Sequence, residues 1–382
     1  MSTIKVDTVK NRSSAINLPN NFKIGGLNII QGYTSSGSEP GSPSTGDFWW
    51  DSSNEKLYRY INGEFKEISI TSSVANYGDR GFVFGASGTS NANRIQYVSL
   101  TSAANSADFG DLTVGSNESA ACSSGAKAFR MAGHDGSGTK QNVIESWTTS
   151  TLGNATDHGD LSATCYYSHG NSDGTTGICV LGRSGSDSTY LNTIDQFPMA
   201  SAGNSTDFGD LTYARAYGGS VVNVATARMV NFGGYNATDP YYHKDCDYIT
   251  ITTAGNAVDF GDLIKLNHYC VGAGSGSGDR GLQLGGMARV LPSGGAYTDE
   301  IQYIDISTLG NATDAGNLLT ANGEHAAGMN TATHGFKAGG YASSTNYDTI
   351  QRTVLATGAN ATDWGDILTA SYDVTGTSGN PS

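Results

Sequence analysis

Paired acidic side chains are the most regular chemical feature of this sequence. An Asp is followed three residues later by a second Asp or an Asn, and the pair occurs six times. The pairs are Asp108/Asp111, Asp157/Asp160, Asp207/Asp210, Asp259/Asp262, Asp314/Asn317 and Asp363/Asp366. Carboxylate oxygens at such spacing could bind calcium, and two acids about 5 to 9 Å apart could hydrolyse a glycosidic bond. Asp and Asn before Gly also close turns by accepting hydrogen bonds from nearby backbone N–H groups. Because all six copies carry the pair, whereas a dedicated site would occupy one, we predict structural repeat turns, with calcium as the alternative.

Other catalytic and metal-binding patterns are missing from the sequence. The seven histidines lie at non-equivalent positions, and no HExxH, GxSxG or P-loop string occurs. The five cysteines include no CxxC pair, which argues against a disulfide scaffold or a thiolate zinc site. We interpret the cysteines as small buried hydrophobic residues. The sequence therefore predicts no catalytic residue, no metal site and no cofactor, and a protein that is not an enzyme.

Tyrosines in and beside the loops are the candidate binding residues. Aromatic faces with polar edges suit sugar rings, and recognition usually lies in variable loops on a rigid scaffold. The predicted receptor-binding residues are Tyr166, Tyr167, Tyr217, Tyr241 and Tyr242. The alternative role for these tyrosines is ordinary packing between repeats.

The paired acids belong to a longer repeat that must position any site. The string Asn-small-small-Asp-x-Gly-Asp-Leu recurs with its first Asp at positions 108, 157, 207, 259, 314 and 363, so the intervals are 49, 50, 52, 55 and 49 residues. Each copy follows a glycine-bounded apolar strand, such as GFVFG from Gly81, and a strand of alternating polarity, such as RIQYVSL from Arg94. With a short strand on either side, each repeat holds about four strands in 50 residues, as a propeller blade does.

Three repeats end the apolar strand with a glycine pair: Gly233-Gly234, Gly285-Gly286 and Gly339-Gly340. These pairs, two of them followed by Tyr235 or Tyr341, resemble those of kelch-type β-propellers over residues 72–382. The downstream Trp of the kelch pattern is missing, and the other three repeats lack the second glycine. The resemblance implies an all-β fold with a six-bladed kelch-like propeller. We expect a C-terminal strand near residues 367–376 to complete the blade that begins near Gly81.

The first seventy residues differ from the repeats. Residues 1–33 have short apolar segments but too few large residues for a core, so we predict an extended attachment or oligomerisation segment. Residues 34–46 form a Gly/Ser/Pro linker, and residues 47–70 a small three-stranded β mini-domain with an Asn62-Gly63 turn.

The strings STIKVDTVKNRSS and GDFWWDSSNEKLYRYINGEFKEI are similar to N-terminal segments of virion structural proteins, including tail fibres, of tailed bacteriophages, especially myoviruses of marine cyanobacteria. The resemblance implies attachment to other virion proteins through the N-terminal segment, commonly as a homotrimer, and a distal part that contacts the host.

Composition limits the partners. With 21 Lys and Arg against 35 Asp and Glu, the net charge is −14, which disfavours nucleic-acid binding. No apolar run is long enough for a membrane helix, and the N-terminus lacks a signal peptide's apolar region, so we expect synthesis in the host cytoplasm without membrane insertion.

The expected function is that of a phage virion structural protein of the tail or fibre apparatus, which displays a propeller for adhesion to a host-surface glycan or protein. Two alternatives remain: a capsid-surface decoration protein, located on the head, and a carbohydrate-active enzyme that acts on host polysaccharide.

Overall fold

The protein is all-β over the residues described by the computed structural model, with no helix among them, and this part of the predicted fold class is confirmed. The described residues are 23–24, 27–28, 33–51, 56–61, 63–67, 79–86, 92–185, 189–238, 241–274, 278–289, 294–324 and 326–379. Most of the predicted attachment segment, residues 1–33, lies outside them, as does Asn62 of the predicted turn. The chain divides into two compact units, Met1–Thr71 and Ser72–Ser382.

The N-terminal unit contains one sheet of four strands: Tyr33–Ser36, Phe48–Asp51, Lys56–Ile61 and Glu64–Glu67. The first two strands are parallel and the other pairs antiparallel. A two-stranded hairpin, Lys23–Ile24 with Leu27–Asn28, precedes this sheet in the chain.

The predicted linker and three-stranded mini-domain need correction, because Tyr33–Ser36 supplies a fourth strand and three of its four residues lie in the predicted linker. The side chain of Trp49 explains the pairing. Its indole Nε1 donates to the Ser36 carbonyl at 3.1 Å, and its buried ring stacks on Tyr58 at 4.9 Å and meets the edge of Phe65 at 5.4 Å. The aromatic strands thus hold the preceding polar segment in the sheet.

The C-terminal unit contains six antiparallel sheets, each with four principal strands that we number first to fourth in their order across the sheet. Sheet 1 has Thr375–Gly379, Arg80–Phe84, Arg94–Ser99 and Ala107–Asp111. Sheet 2 has Ala120–Ser123, Lys127–Met131, Gln141–Thr148 and Thr156–Tyr166. Sheet 3 has His169–Ser172, Thr176–Val180, Thr193–Pro198 and Thr206–Asp210.

The other three sheets follow the same order. Sheet 4 has Gly219–Asn223, Arg228–Phe232, His243–Thr250 and Val258–His268. Sheet 5 has Gly272–Gly274, Arg280–Leu284, Glu300–Asp305 and Thr313–Asn317. Sheet 6 has Ala327–Asn330, His334–Ala338, Thr349–Val354 and Thr362–Asp366.

Short strands extend this framework beside the loops. Arg183–Ser184 pairs with the fourth strand of sheet 2. Met287–Arg289 and Gly295–Tyr297 extend sheet 4, and Tyr341–Ala342 pairs with Thr345–Asn346.

Hydrophobic residues form six buried clusters, each between two neighbouring sheets. The cluster of Phe82, Phe84 and Trp147 lies between sheets 1 and 2, and comparable clusters join sheets 2 and 3, 3 and 4, 4 and 5, and 5 and 6. The remaining cluster joins sheet 6 to sheet 1 through residues such as Phe336 and Val83. The five cysteines are also buried and form no disulfide, as their interpretation as small hydrophobic residues predicts.

The two ends of the C-terminal unit meet in sheet 1. Its first strand, Thr375–Gly379, pairs antiparallel with Arg80–Phe84, which is the pairing expected from the sequence. The strand overlaps only the end of the predicted range of 367–376, because Ile367 is buried in the core between sheets 6 and 1 and Asp373 has a left-handed backbone.

The repeated acidic pairs were predicted to form turns, but they lie in the fourth strand of each sheet. Asp314 and Asp363 do accept a hydrogen bond from the backbone N–H two residues later, which is the local chemistry behind the prediction. The members of these pairs are Asp108, Asp111, Asp157, Asp160, Asp207, Asp210, Asp259, Asp262, Asp314, Asn317, Asp363 and Asp366. The Asn that opens each string forms a hydrogen bond with the preceding sheet. The local preferences of Asn, Asp and Gly do not predict a partner so distant in the chain.

We call this contact the Asn clasp. In it, an Asn side-chain oxygen accepts a hydrogen bond of 3.0 to 3.1 Å from the backbone N–H of the second acidic-pair residue of the preceding sheet. The Asn residues are Asn105, Asn154, Asn204, Asn256, Asn311 and Asn360. Asn105 accepts from Asp366, so the clasp also joins sheet 6 to sheet 1.

The glycine of each string allows the two neighbouring sheets to approach each other closely. At Gly209, φ is +148°, and an added Cβ would lie 2.5 Å from the backbone of Gly255, which directly precedes the next string. Only a residue without a Cβ fits there.

A second set of contacts joins the sheets through a buried polar residue of the third strand. This residue accepts a hydrogen bond from the residue that follows the preceding string, and the donor is a backbone N–H at 2.6 to 3.2 Å in five cases and the Thr113 hydroxyl in the other. The acceptors are Gln96, Glu145, Asp195, Asp247, Gln302 and Gln351. The residues in and beside each string thus form the hydrogen bonds that join one sheet to the next.

Candidate ligand-binding face

Six residues at equivalent positions, which we call the hexad, have a left-handed backbone. Each follows the last residue of a repeated string by six positions and precedes a first strand. The hexad is Glu118, Tyr167, Tyr217, Tyr269, Glu324 and Asp373, with φ values between 50° and 62°. This conformation is uncommon for residues other than Gly, Asn and Asp. It persists where surrounding structure determines it, and such residues are often found at functional sites.

The hexad lies at one end of a cavity. The first strands of all six sheets line this cavity, whose volume is about 110 Å³. Ser119, Ser168 and Gly218 line its wall, and each directly follows a hexad residue. Neighbouring hexad residues are also joined through their backbones, as in the bond of 2.8 Å from Tyr167 N–H to the Glu118 carbonyl. The six side chains therefore meet around one opening.

Three consecutive hexad positions carry aromatic rings that contact one another. The ring centroids of Tyr167 and Tyr217 are 3.8 Å apart with an interplanar angle of 28°. Tyr269 meets Tyr217 edge to face at 5.0 Å. Burial is the main cause that raises the pKa values of all three hydroxyls, and the charge of Glu118 adds to the increase at Tyr167 and Tyr269. These hydroxyls stay protonated at neutral pH and remain hydrogen-bond donors.

The other three hexad positions carry acids. The carboxylate of the buried Glu118 lies 3.0 Å from His134 Nε2, and this hydrogen bond is the main cause of the raised pKa of His134. The Tyr297 hydroxyl donates to Glu324 Oε1 at 2.6 Å. Asp373 is buried. The opening thus has an aromatic half, from sheets 3 to 5, and an acidic half.

The aromatic half continues into the loops and forms what we call the tyrosine face. Its members are Tyr166, Tyr167, Tyr217, Tyr235, Tyr241, Tyr242, His268 and Tyr269. Tyr235 connects the two parts of this face, since its ring lies 6.0 Å from Tyr217 and 5.7 Å from Tyr242. Tyr242 in turn stacks on His268 at 4.3 Å. All five tyrosines predicted from the sequence therefore belong to one aromatic network.

Exposure divides these five tyrosines. Tyr166 and Tyr217 are buried, with 5% and 9% of their surface exposed, whereas Tyr241 is 43% exposed. Tyr167 and Tyr242 are half-buried. Buried members support the face from below, and Tyr241 and Tyr242 are the ones that offer surface to a ligand.

Three basic side chains lie over tyrosines of this region. Lys140 Nζ is 4.4 Å from the centroid of Tyr166, the guanidinium of Arg183 is 5.2 Å from that of Tyr190, and the guanidinium of Arg289 is 5.8 Å from that of Tyr241. The region combines ring faces, hydroxyl donors and cationic edges, which are groups suited to binding.

Sequence reasoning missed several members of this region. They are Glu118, Arg183, Tyr190, His268, Tyr269, Glu324 and Asp373. A signal for the hexad was present, because every member lies six residues after its string. The residue types at this position differ, so a search for identity between repeats does not find it.

Within the described ranges, no group of three or more His, Cys, Asp or Glu side chains is placed to hold a metal ion. No helix that could cross a membrane occurs in the same part of the chain. Comparison with protein-family models gives no match, and comparison with curated proteins gives no significantly similar sequence.

Proposed function

We propose that the protein is a non-enzymatic virion structural protein of a bacteriophage tail or fibre apparatus, whose six sheets form a kelch-like propeller that adheres to the host surface. The tyrosine face is the adhesive surface in this proposal, and its ligand is a glycan. The N-terminal segment attaches a homotrimer to other virion proteins.

The six-bladed arrangement is supported by contacts that join each sheet to the next and the last sheet to the first. Each sheet shares a hydrophobic cluster with the next, and sheet 6 shares one with sheet 1. The Asn clasp follows the same circuit and ends with Asp366 N–H donating to Asn105. Six four-stranded antiparallel sheets joined in a closed circuit are the plan of a propeller.

The observation that carries the glycan proposal is the connected tyrosine face beside the cavity opening. Saccharides are bound through stacking of their apolar ring faces on aromatic side chains and through hydrogen bonds to hydroxyl groups. The partly exposed Tyr241 and Tyr242 offer both kinds of contact. Several copies on one virion would raise a modest affinity for each site into firm attachment.

The virion proposal relies on the two N-terminal sequence segments and their resemblance to phage proteins. Attachment through such segments serves tail and head alike. Immunogold labelling of intact particles with antibody against residues 72–382 separates the two locations. Gold on the tail or fibres supports the proposal, gold on the head favours a decoration protein, and unlabelled particles would remove the virion assignment.

A double substitution, Tyr241→Ala with Tyr242→Ala, tests the adhesive surface. We expect binding to host cells and to a glycan array to fall at least about tenfold, because the exposed rings are lost while the strands remain. Tyr303→Ala is the matched control, since Tyr303 is also half-buried under an arginine, Arg280, but lies in sheet 5 away from the face. Unchanged binding by the folded double variant, or an equal loss in the control, would contradict the proposal.

A further inference from the structure

Arg183 lies among tyrosines at the edge of the tyrosine face. It follows the second strand of sheet 3, and its guanidinium is 5.2 Å from the ring centroid of Tyr190 and 6.0 Å from that of Tyr166. Tyr217 of the hexad also lies close to this guanidinium. Three aromatic side chains from the loops of two neighbouring sheets and from the hexad thus surround one positive charge.

The charge of Arg183 has no acidic partner among the residues that the structure describes. By contrast, the buried Arg215 pairs with Asp247 at 3.0 Å. The carboxylate of Glu118, which belongs to the same region, lies against His134.

A second positive charge lies on the same aromatic ring. Lys140 Nζ is 4.4 Å from the centroid of Tyr166, so Tyr166 contacts both cations. Two cations beside one ring favour the approach of an anion to this edge of the tyrosine face. Both side chains are half-buried, which leaves part of each accessible.

We infer that the Arg183 site binds the oxyanion of an acidic saccharide, a carboxylate or a sulfate. This inference rests on the proposed glycan-binding function and adds the ligand's charge. A guanidinium fits the paired oxygens of such groups and forms charge-assisted hydrogen bonds with them. The rings of Tyr190 and Tyr235, whose centroids are 5.9 Å apart, provide the adjoining surface for the sugar.

The test compares three soluble polysaccharides with the full-length protein by calorimetry or biolayer interferometry. Polygalacturonate carries carboxylates, dextran sulfate carries sulfates, and dextran is neutral. We expect the wild-type protein to bind at least one acidic polymer more tightly than dextran. Arg183→Met should reduce that affinity at least about tenfold and reduce any binding of dextran by a clearly smaller factor. Whichever acidic polymer shows this loss identifies the oxyanion.

Arg280→Met is the matched control, because Arg280 also lies over a tyrosine, Tyr303 at 4.2 Å, and its replacement removes the same charge at the start of the second strand of sheet 5. Equal losses in both variants would indicate unspecific attraction and overturn the inference.

The remaining outcomes separate the inference from the function on which it rests. If wild type and Arg183→Met bind all three polymers equally, the acidic ligand is rejected while glycan binding stands. If the wild type binds none of the polymers but adheres to host cells through Tyr241 and Tyr242, the inference fails and adhesion is retained. Loss of both would reject the two proposals together.

Discussion

The Asn clasp and the hexad occur once in every repeat, but they differ in which property is the same in all six copies. At the clasp, all six sheets use the same side chain, Asn, in the same hydrogen bond. At the hexad, all six share one backbone conformation, yet the side chains are three tyrosines, two glutamates and an aspartate. A contact between sheets requires one residue type. Beside the opening, only the backbone conformation is the same, and the side chain can differ from repeat to repeat.

This difference is the reason that we propose the tyrosine face, and not the repeated strings, as the binding surface. The acidic pairs recur in every string, but the contacts that join the sheets there use the Asn side chain and the backbone N–H of the second pair residue. The tyrosine face is specific to sheets 2 to 5 and their loops, and its residues are recognised only when equivalent positions are compared for difference. A left-handed tyrosine costs about 1 to 3 kcal/mol of backbone strain, and the framework must stabilise four of them, the three of the hexad and Tyr241.

The largest effect is expected from breaking the circuit at its closure. Deleting residues 374–382 removes the first strand of sheet 1, leaves Arg80–Phe84 as an unpaired edge and uncovers the cluster between sheets 6 and 1. We expect aggregation or loss of the cooperative unfolding transition, measured by calorimetry and size-exclusion chromatography. Deletion of residues 380–382 alone is the control. An unchanged melting temperature after the longer deletion would show that closure is dispensable.

A smaller effect is expected from preventing one pair of sheets from approaching. Gly209→Ala places a Cβ 2.5 Å from the backbone of Gly255 at a φ of +148°, which should lower the free energy of unfolding by about 3 kcal/mol. Gly203→Ala is the control from the same repeat, because no atom lies within 4 Å of its added Cβ. Denaturant titration measures both variants, and similar stabilities would contradict this role for the string glycine.

The smallest effect is expected from two substitutions within one string, which compare the Asn and the Asp that recur in every repeat. Asn204→Ala removes the acceptor for Asp160 N–H and should lower the free energy of unfolding by about 1 kcal/mol. Asp207→Ala should change it by less than about 0.5 kcal/mol, because this exposed carboxylate lies on the solvent side of the strand. Thermal and chemical denaturation measure the difference. If Asp207→Ala is the more damaging variant, the acidic pair has a role beyond the clasp.

Local patterns made much of the framework predictable. Alternating polarity identified strands such as Arg94–Ser99, and the spacing of the strings identified six repeats of about four strands. The pairing of the C-terminus with the strand at Gly81 followed from what each end lacked. The strand Tyr33–Ser36 was not predictable, because its polar composition also suits a linker and only the packing of Trp49 distinguishes the two.

The acidic pairs were assigned to turns because Asn, Asp and Gly have the same local preferences in a turn as in this irregular strand. What decides between them is the Asn clasp, whose partners are 43 to 49 residues apart within the chain and 261 apart at the closure. No local preference reports a partner at that distance.

The sequence by itself determined the β-class, the number of repeats and the supply of tyrosines, because strand periodicity and repeat spacing are written in neighbouring residues. The tertiary structure alone decided that Tyr167, Tyr217 and Tyr269 meet and that Arg183 lies among tyrosines without an acid. These residues belong to different repeats. The packing of each sheet on the next brings their first strands to one cavity and makes equivalent positions of the repeats neighbours in space.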